Sequence, residues 1–265
     1  MITKPEQRPS RALLVVLDPS GDSLALLETA VNLASQLQAD LEALFVEDSD
    51  LLRVADLPYA FEVTLSSAEE RKTSRQAMSR SMEAHAAHAR SRLETAAGRA
   101  RIQWSFRTVR GRRIETVFAE ASGSDLLLVG HMRQSLFAAP RQRAAEPRHA
   151  VYSAYHGGIA ADHALSVARE LAERDGADLT VVLPETASPE ESQRLARTVA
   201  EALSGSPLPV RFRRCRADDA CLLAAVLSSA WADAVVLPVD HPVARDEKQF
   251  QIFLSRLPCP VILVH

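Results

Sequence analysis

Side chains able to do chemistry are frequent in this sequence, but few stand at the spacings that chemistry requires. His85 and His88 lie three apart in a segment of helical periodicity, a separation that sets two imidazoles close enough to share a metal ion. No third ligand accompanies them, so they read as ordinary helix-surface histidines and no metal site is expected. Gly157-Gly158 leads into a second helical pattern, where backbone amides could meet an anion. The simpler reading is a tight strand-to-helix turn that needs glycine. The sequence contains no Gly-x-Ser-x-Gly elbow, no phosphate-binding P-loop, no Cys-x-x-Cys pair and no His/Cys cluster with metal spacing. No catalytic residue is singled out and no enzyme is expected. Cys215, Cys221 and Cys259 are odd in number and confined to the second half, so they read as buried thiols rather than a disulfide framework.

The elements that would position any site come from a repeat. Arg11 to Val46 holds an apolar run, a turn at Asp18-Pro-Ser-Gly-Asp, an amphipathic segment and a second apolar run. Shifted by 138 positions, Ala12-Leu13-Leu14-Val15 falls on Ala150-Val151-Tyr152-Ser153, Leu33-Ala34 on Leu171-Ala172, and Ala39-Asp40-Leu41 on Ala177-Asp178-Leu179. Two copies of one βαβ-based unit follow from that. Leu13 to Leu17 and Leu41 to Val46 lack alternation, as parallel strands buried on both faces do, and Leu24, Leu27, Val31, Ala34 and Leu37 form the stripe of the crossover helix.

Ser67-Ala-Glu-Glu70 predicts a capping box that opens a long helix, with Gly98 ending it, and Ile102 to Val109 predicts a third strand. A short helix with Ile114, Val117, Phe118 and Ala121 inward leads to a fourth strand at Ser124 to Gly130. From His131 to Arg148 the pattern is lost, so the first copy ends at four strands. In the second copy Ser188-Pro-Glu-Glu191 caps a shorter helix, Phe212-Arg213 matches Phe106-Arg107, and Asp233 matches Asp125. About 30 residues are therefore extra in the first copy between its second and third strands. Phe250, Phe253, Leu254 and Leu257 then form a helical stripe before a fifth strand at Pro258 to Val264. The expected domains are residues 1–146 and 147–265. A four-stranded first copy leaves an apolar edge at Leu126 to Val129, which the second copy's Val261 to Val264, in the same or another chain, or a loop at Phe137 to Ala145, must cover.

With 47% hydrophobic and 25% charged residues, the chain can build a sizeable core. Its N-terminus has no apolar core of a signal peptide, and no apolar run reaches a membrane span, so a cytoplasmic protein without membrane contact is expected. Net charge is −3, but residues 71–148 hold 16 Lys/Arg against 6 Asp/Glu, leaving 15 against 28 elsewhere. Aromatic interleaving and nucleic-acid motifs are absent from that basic block. It reads as a solvated or partner-facing surface, with an unidentified protein rather than nucleic acid as the partner.

Leu14-Val-Val-Leu-Asp-Pro-Ser, Ser124-Asp-Leu-Leu-Leu-Val-Gly130, Gly176-Ala-Asp-Leu-Thr-Val-Val and above all Leu257-Pro-Cys-Pro-Val-Ile-Leu-Val resemble the universal stress protein family in its tandem form. The resemblance implies an α/β fold of two doubly wound, Rossmann-like parallel sheets of the adenine-nucleotide α-hydrolase type, each with strand order 3-2-1-4-5. It also implies association through the fifth strand, with a homodimer as one arrangement. In such a sheet a ligand sits where the strand order reverses. The residues implied for a nucleotide there are Asp18, Val46, Gly130 and Arg133.

ATP-binding members carry a glycine, two residues, a glycine, nine residues, then glycine with Ser or Thr. Here Gly130 matches the first glycine, Arg133 replaces the second, and no Gly-Ser or Gly-Thr follows. In the second copy Pro238 replaces the first glycine and His156 the aspartate, and proline offers no N–H to a phosphate. The expectation is therefore a stress-response or regulatory module acting through protein contacts, with no cofactor. The alternative is a sensor of ATP or AMP that uses only the first-copy crevice at Asp18 and Gly130.

Overall fold

The branched apolar runs become parallel strands, as their lack of alternation requires. The structure, a computed structural model, describes residues 11–19, 23–63, 70–121, 123–130, 150–185, 188–216, 219–220, 223–224, 227, 233–257 and 259–265. It divides into two units, Met1–Ala121 and Ser122–His265.

In the first unit, β1 (Arg11–Leu17) is buried from Leu13 onward and pairs in parallel with β2 (Ala39–Asp48) through the crossover helix α1 (Ser23–Leu37). The stripe Leu27, Ala30, Val31, Ala34 and Leu37 is buried, which is what holds α1 against the sheet. Next come α2 (Ser49–Ala55), a two-stranded antiparallel ribbon of β3 (Phe61–Val63) and β4 (Glu70–Lys72), and the long α3 (Arg75–Ala100). β5 (Trp104–Gly111) then pairs in parallel with β2, giving the order β5-β2-β1, and α4 (Arg113–Ala121) ends the unit with Ile114 and Val117 buried.

Two expectations about α3 are corrected. Ser67 lies outside the described residues, but Glu70, its expected capping partner, begins β4 and spends its backbone on the ribbon. The helix starts instead behind Ser74, whose Oγ accepts from the Ala77 N–H at 3.2 Å. A Ser-x-x-Glu match specifies only local bonds, and the ribbon outcompetes them. Gly98 does not stop the helix either. α3 runs on to Ala100, and Arg101 takes the left-handed C-cap position at φ 55°, donating its N–H to Ala97 O. A glycine inside a helix costs about 1 kcal/mol, which the packing of Leu93 and Ala97 in the turns before it offsets.

The second unit begins with β6 (Leu126–Val129), the fourth strand of the first sequence copy. It continues with β7 (Ala150–Ala154), α5 (Ile159–Asp175), β8 (Asp178–Pro184), α6 (Pro189–Ala202), β9 (Val210–Cys215), β10 (Ala234–Pro238), α7 (Pro242–Arg245), α8 (Glu247–Arg256) and β11 (Val261–Val264). Gly157 and Gly158, at φ 88° and 95°, make the turn into α5 that a side chain would strain. Ser188 caps α6 by accepting from the Glu191 N–H, and α8 buries the Phe250, Phe253, Leu254 stripe with Leu257. Cys215 and Cys259 are buried; Cys221 lies outside the described residues.

The second copy has the order β9-β8-β7-β10-β11, which is 3-2-1-4-5, all parallel. Beyond it, β11 pairs antiparallel with β6, in the register Val261↔Val129, Ile262↔Leu128, Leu263↔Leu127 and Val264↔Leu126. All eight side chains are buried. The outer edge of β6 is thus covered by the second copy's fifth strand within the same chain; the expectation that the pattern is lost from His131 to Arg148 lies outside the described residues. His265 extends the clasp by donating its N–H to Asp125 O at 3.1 Å.

Candidate functional site

The turn after β1 is fixed by one side chain. Ser23, the first residue of α1, accepts from the Asp18 N–H at 3.1 Å and lies 2.6 Å from Asp18 O and 3.0 Å from Asp18 Oδ1, so its hydroxyl ties strand end to helix start. Above that turn opens a cavity of about 430 Å³, lined by Asp18, Ser23, Leu24, Phe45, Ser81, Ala84, His85, His88 and Ala89. Phe45, paired in register with Leu17, forms a buried apolar wall. α3 supplies the opposite wall and is held to α1 by Arg92 Nη2 on Glu28 Oε1 at 2.6 Å.

His85 Nδ1 lies 2.7 Å from Ser81 O. A carbonyl only accepts, so Nδ1 is the donor in this bond. The pair His85 and His88 is exposed on α3, and no group of three metal-capable side chains occurs among the described residues. The cavity's size is that of a small-molecule site, apolar on Leu24, Phe45, Ala84 and Ala89 and polar at Asp18, Ser81 and the two histidines.

Of the residues singled out from the sequence, Asp18 lines this cavity. Val46 is buried in β2, one position beyond the lining Phe45. Gly130 follows β6 in the second unit, and Arg133 lies outside the described residues. Ser23, Phe45 and Ser81 were not legible as lining residues. The histidine pair was visible, but nothing local tied it to Asp18, which is brought near only by the packing of α3 on α1.

The corresponding turn of the second copy is closed. His156 stands where Asp18 does, and the space bounded by Tyr155, His156, Val182, Leu183, Pro184, Cys215, Leu223 and His241 is only about 10 Å³, room for one water at most. His241, almost fully buried, packs edge-on to His156 with ring centroids 5.7 Å apart. Its Nδ1 accepts from the Val243 N–H at 3.3 Å, which caps α7. Burial lowers its pKa to about 4; the neighbouring His156 adds to the drop and Asp240 opposes it. His156 Nε2 lies 3.3 Å from Asp240 Oδ1. Tyr155 donates its hydroxyl to Asp162 at 2.8 Å, and burial, that bond and the Asp162 charge push its pKa up to about 12. These groups are spent on structure. His241 escaped the sequence reading, though a polar residue followed by Pro242 is itself a helix-start signal.

A third feature lies in the segment that only the first copy has. Leu51, Val54, Leu57, Tyr59 and Phe61, on α2, the following turn and β3, are exposed large apolar side chains within eleven positions, Tyr59 at 86%.

Residues 9–139 match the family model of the universal stress protein family. No curated protein matches the chain in sequence. Among solved structures the fold is similar to that of a universal stress protein from Archaeoglobus fulgidus, with 13% identity, a TM-score of 0.57 and coverage of 95% of either chain. It is also similar to that of a functionally unknown protein from Pseudomonas aeruginosa, with 13% identity, a TM-score of 0.52 and coverage of 97% of this chain and 92% of that one. No helix among the described residues is long and apolar enough to cross a membrane.

Proposed function

The chain belongs to the universal stress protein family through residues 9–139, and on that premise we propose that it is a non-catalytic stress-response module of the cytoplasm that acts by protein contacts. Its plan is two family-like repeats, residues 1–146 and 147–265. The observation that carries the reading is the apolar surface from Leu51 to Phe61. Solitary exposed apolar residues are ordinary, but a run of five concentrated on one helix, turn and ribbon marks a surface that another molecule covers. It falls in the stretch between the second and third strands that is 55 residues long in the first copy (49–103) and 25 in the second (185–209). The fold closes without that extra length.

The test is a double variant, Leu57→Ser with Tyr59→Ser. Exposed substitutions of this kind move stability by no more than about 0.5 kcal/mol, so the melting curve should stay put while partner recovery from stressed cells falls. Equal recovery by both proteins, with matched melting, rejects the reading.

The cavity at Asp18 favours a second reading, a sensor of ATP or AMP confined to the first copy. Against tight ATP binding stand the missing phosphate-wrapping glycines around Gly130 and Arg133. Thermal-shift titration separates the two readings, since a ligand at 100 times its Kd stabilises by ~2.7 kcal/mol. A saturable shift with AMP or Mg-ATP that Asp18→Ala abolishes selects the sensor.

A further inference from the structure

The crevice of the second copy is closed by a segment that depends on one uncharged imidazole. α7 is a single turn between the end of β10 and Asp246, which caps α8. The chain is pinned on one side where Val239 N–H donates to Val264 O, and on the other where Gln249 N–H donates to Asp246 Oδ1 at 2.9 Å. Between those pins the turn rests on His241. Its carbonyl accepts from the Ala244 and Arg245 N–H groups, and its Nδ1 accepts from the Val243 N–H. The ring is buried and closes the space beside Pro184, Cys215 and Leu223.

A proton on that ring is incompatible with this arrangement. Protonated Nδ1 has no lone pair, so it and the Val243 N–H would be two donors facing each other at 3.3 Å. The surrounding groups offer little compensation. Tyr155 and His156 face the ring from the end of β7, Cys215 from the end of β9 and Asp240 from its own turn, while Arg245 and Asp246 at the far end of α7 are exposed. The Tyr155 hydroxyl is engaged with Asp162. Asp240 lies 3.3 Å from His156 Nε2, so a proton on His156 would claim the same carboxylate, and two charged rings 5.7 Å apart would repel. We propose that the second crevice is an acid-operated gate, in which protonation of His241 releases the turn of α7 and opens the space beside Cys215. Closed, His241 has a pKa of about 4; turned out into water it returns to its ordinary 6.5, so the open form binds the proton more tightly and gains as pH falls from 6.5 toward 4. The gate would give the second copy a crevice only in acid, and it does not rest on the surface at Leu51 to Phe61.

The test follows the thiols of the full chain carrying Cys221→Ser, using 4,4′-dithiodipyridine with the modified cysteine assigned by mass spectrometry and each rate divided by that of glutathione at the same pH. Between pH 7 and 4.5 the relative rate at Cys215 should rise by about tenfold or more, while that at Cys259, buried elsewhere, stays flat. His241→Asn keeps an uncharged cap and should abolish the rise. Hydrogen exchange in the parent chain, corrected for its intrinsic pH dependence, gives a reading that needs no variant at 241: residues 240–246 should lose protection over that range while β11 keeps its own. A relative rate at Cys215 that stays flat to pH 4.5 overturns the proposal, since the protonated ring would then remain seated. So does a rise shared by Cys259, which would be general unfolding, and so does a rise that His241→Asn preserves.

Discussion

The two copies of one βαβ opening end in opposite ways at the same turn. After β1, Asp18 and Ser23 fold a small polar clasp and leave about 430 Å³ open beneath α3. After β7, Tyr155 and His156 are bulky, His241 packs edge-on against His156, and about 10 Å³ remains. The difference arises from what lies between the second and third strands. A 26-residue helix packs on α1 in the first copy, where the 14-residue α6 serves the second. Among the described residues the strands of the two copies match closely, while the open cavity lies in the first copy; in the second the crevice is filled, and its fifth strand pairs with the first copy's fourth.

The largest effect should come from that clasp. Leu263 lies between Leu237 of β10 and Leu127 of β6, so Leu263→Ala should cost ~2–5 kcal/mol and lower hydrogen-exchange protection at both neighbours. Protection lost at Leu237 but retained at Leu127 would show that β6 is held by something other than β11.

This pairing was open to deduction from the sequence because it follows from a shortage: four strands in one copy, five in the other, and an apolar edge that must be covered. The strands and α6 were legible for a similar reason, since unbroken branched runs and the Ser188 cap have few alternative uses. The α3 start was not. Ser67-x-x-Glu70 satisfies the same local rule as Ser188-x-x-Glu191, and only the β3–β4 ribbon decides between them. The filled second crevice was hidden because His156 and His241 are 85 positions apart, and their contact depends on β7 and β10 being neighbours.

The next effect is a pH dependence of the second crevice. His241 has a folded pKa of about 4 against an ordinary 6.5. Between those values the unfolded chain binds the extra proton, so this histidine's contribution is intact above pH 6.5 and is lost as pH falls toward 4, by roughly 3 kcal/mol. His241→Asn keeps a cap for α7 and should flatten that part of the stability curve in urea melts from pH 4 to 7. An unchanged slope would mean that His241 is not the group responsible. In the first copy the described histidines, His85 and His88, are exposed, and replacing either with Ala should move stability by less than about 0.5 kcal/mol.

The smallest effect concerns the outer strands. Glu42→Gln breaks the bond to Arg107 on β5, a half-exposed pair, and should cost only ~0.2–1 kcal/mol, shrinking further in salt. Its use is comparative, since Thr180 stands on β8 where Glu42 stands on β2. If the pair contributes as an exposed ion pair does, the urea-melt difference between Glu42→Gln and the parent should shrink as salt is added. A difference that salt leaves unchanged would mean that Glu42 acts other than by its charge.

The contrast between the copies is tested most directly by placing a photo-crosslinking amino acid at Tyr59, within the apolar cluster of the first copy, and separately at Ile159, an isolated residue of the second that is 77% exposed. Irradiation in stressed cells should give one discrete protein adduct from position 59 and none from position 159. Adducts of equal yield from both positions, or none from position 59, would contradict the reading that protein contacts are the work of the first copy.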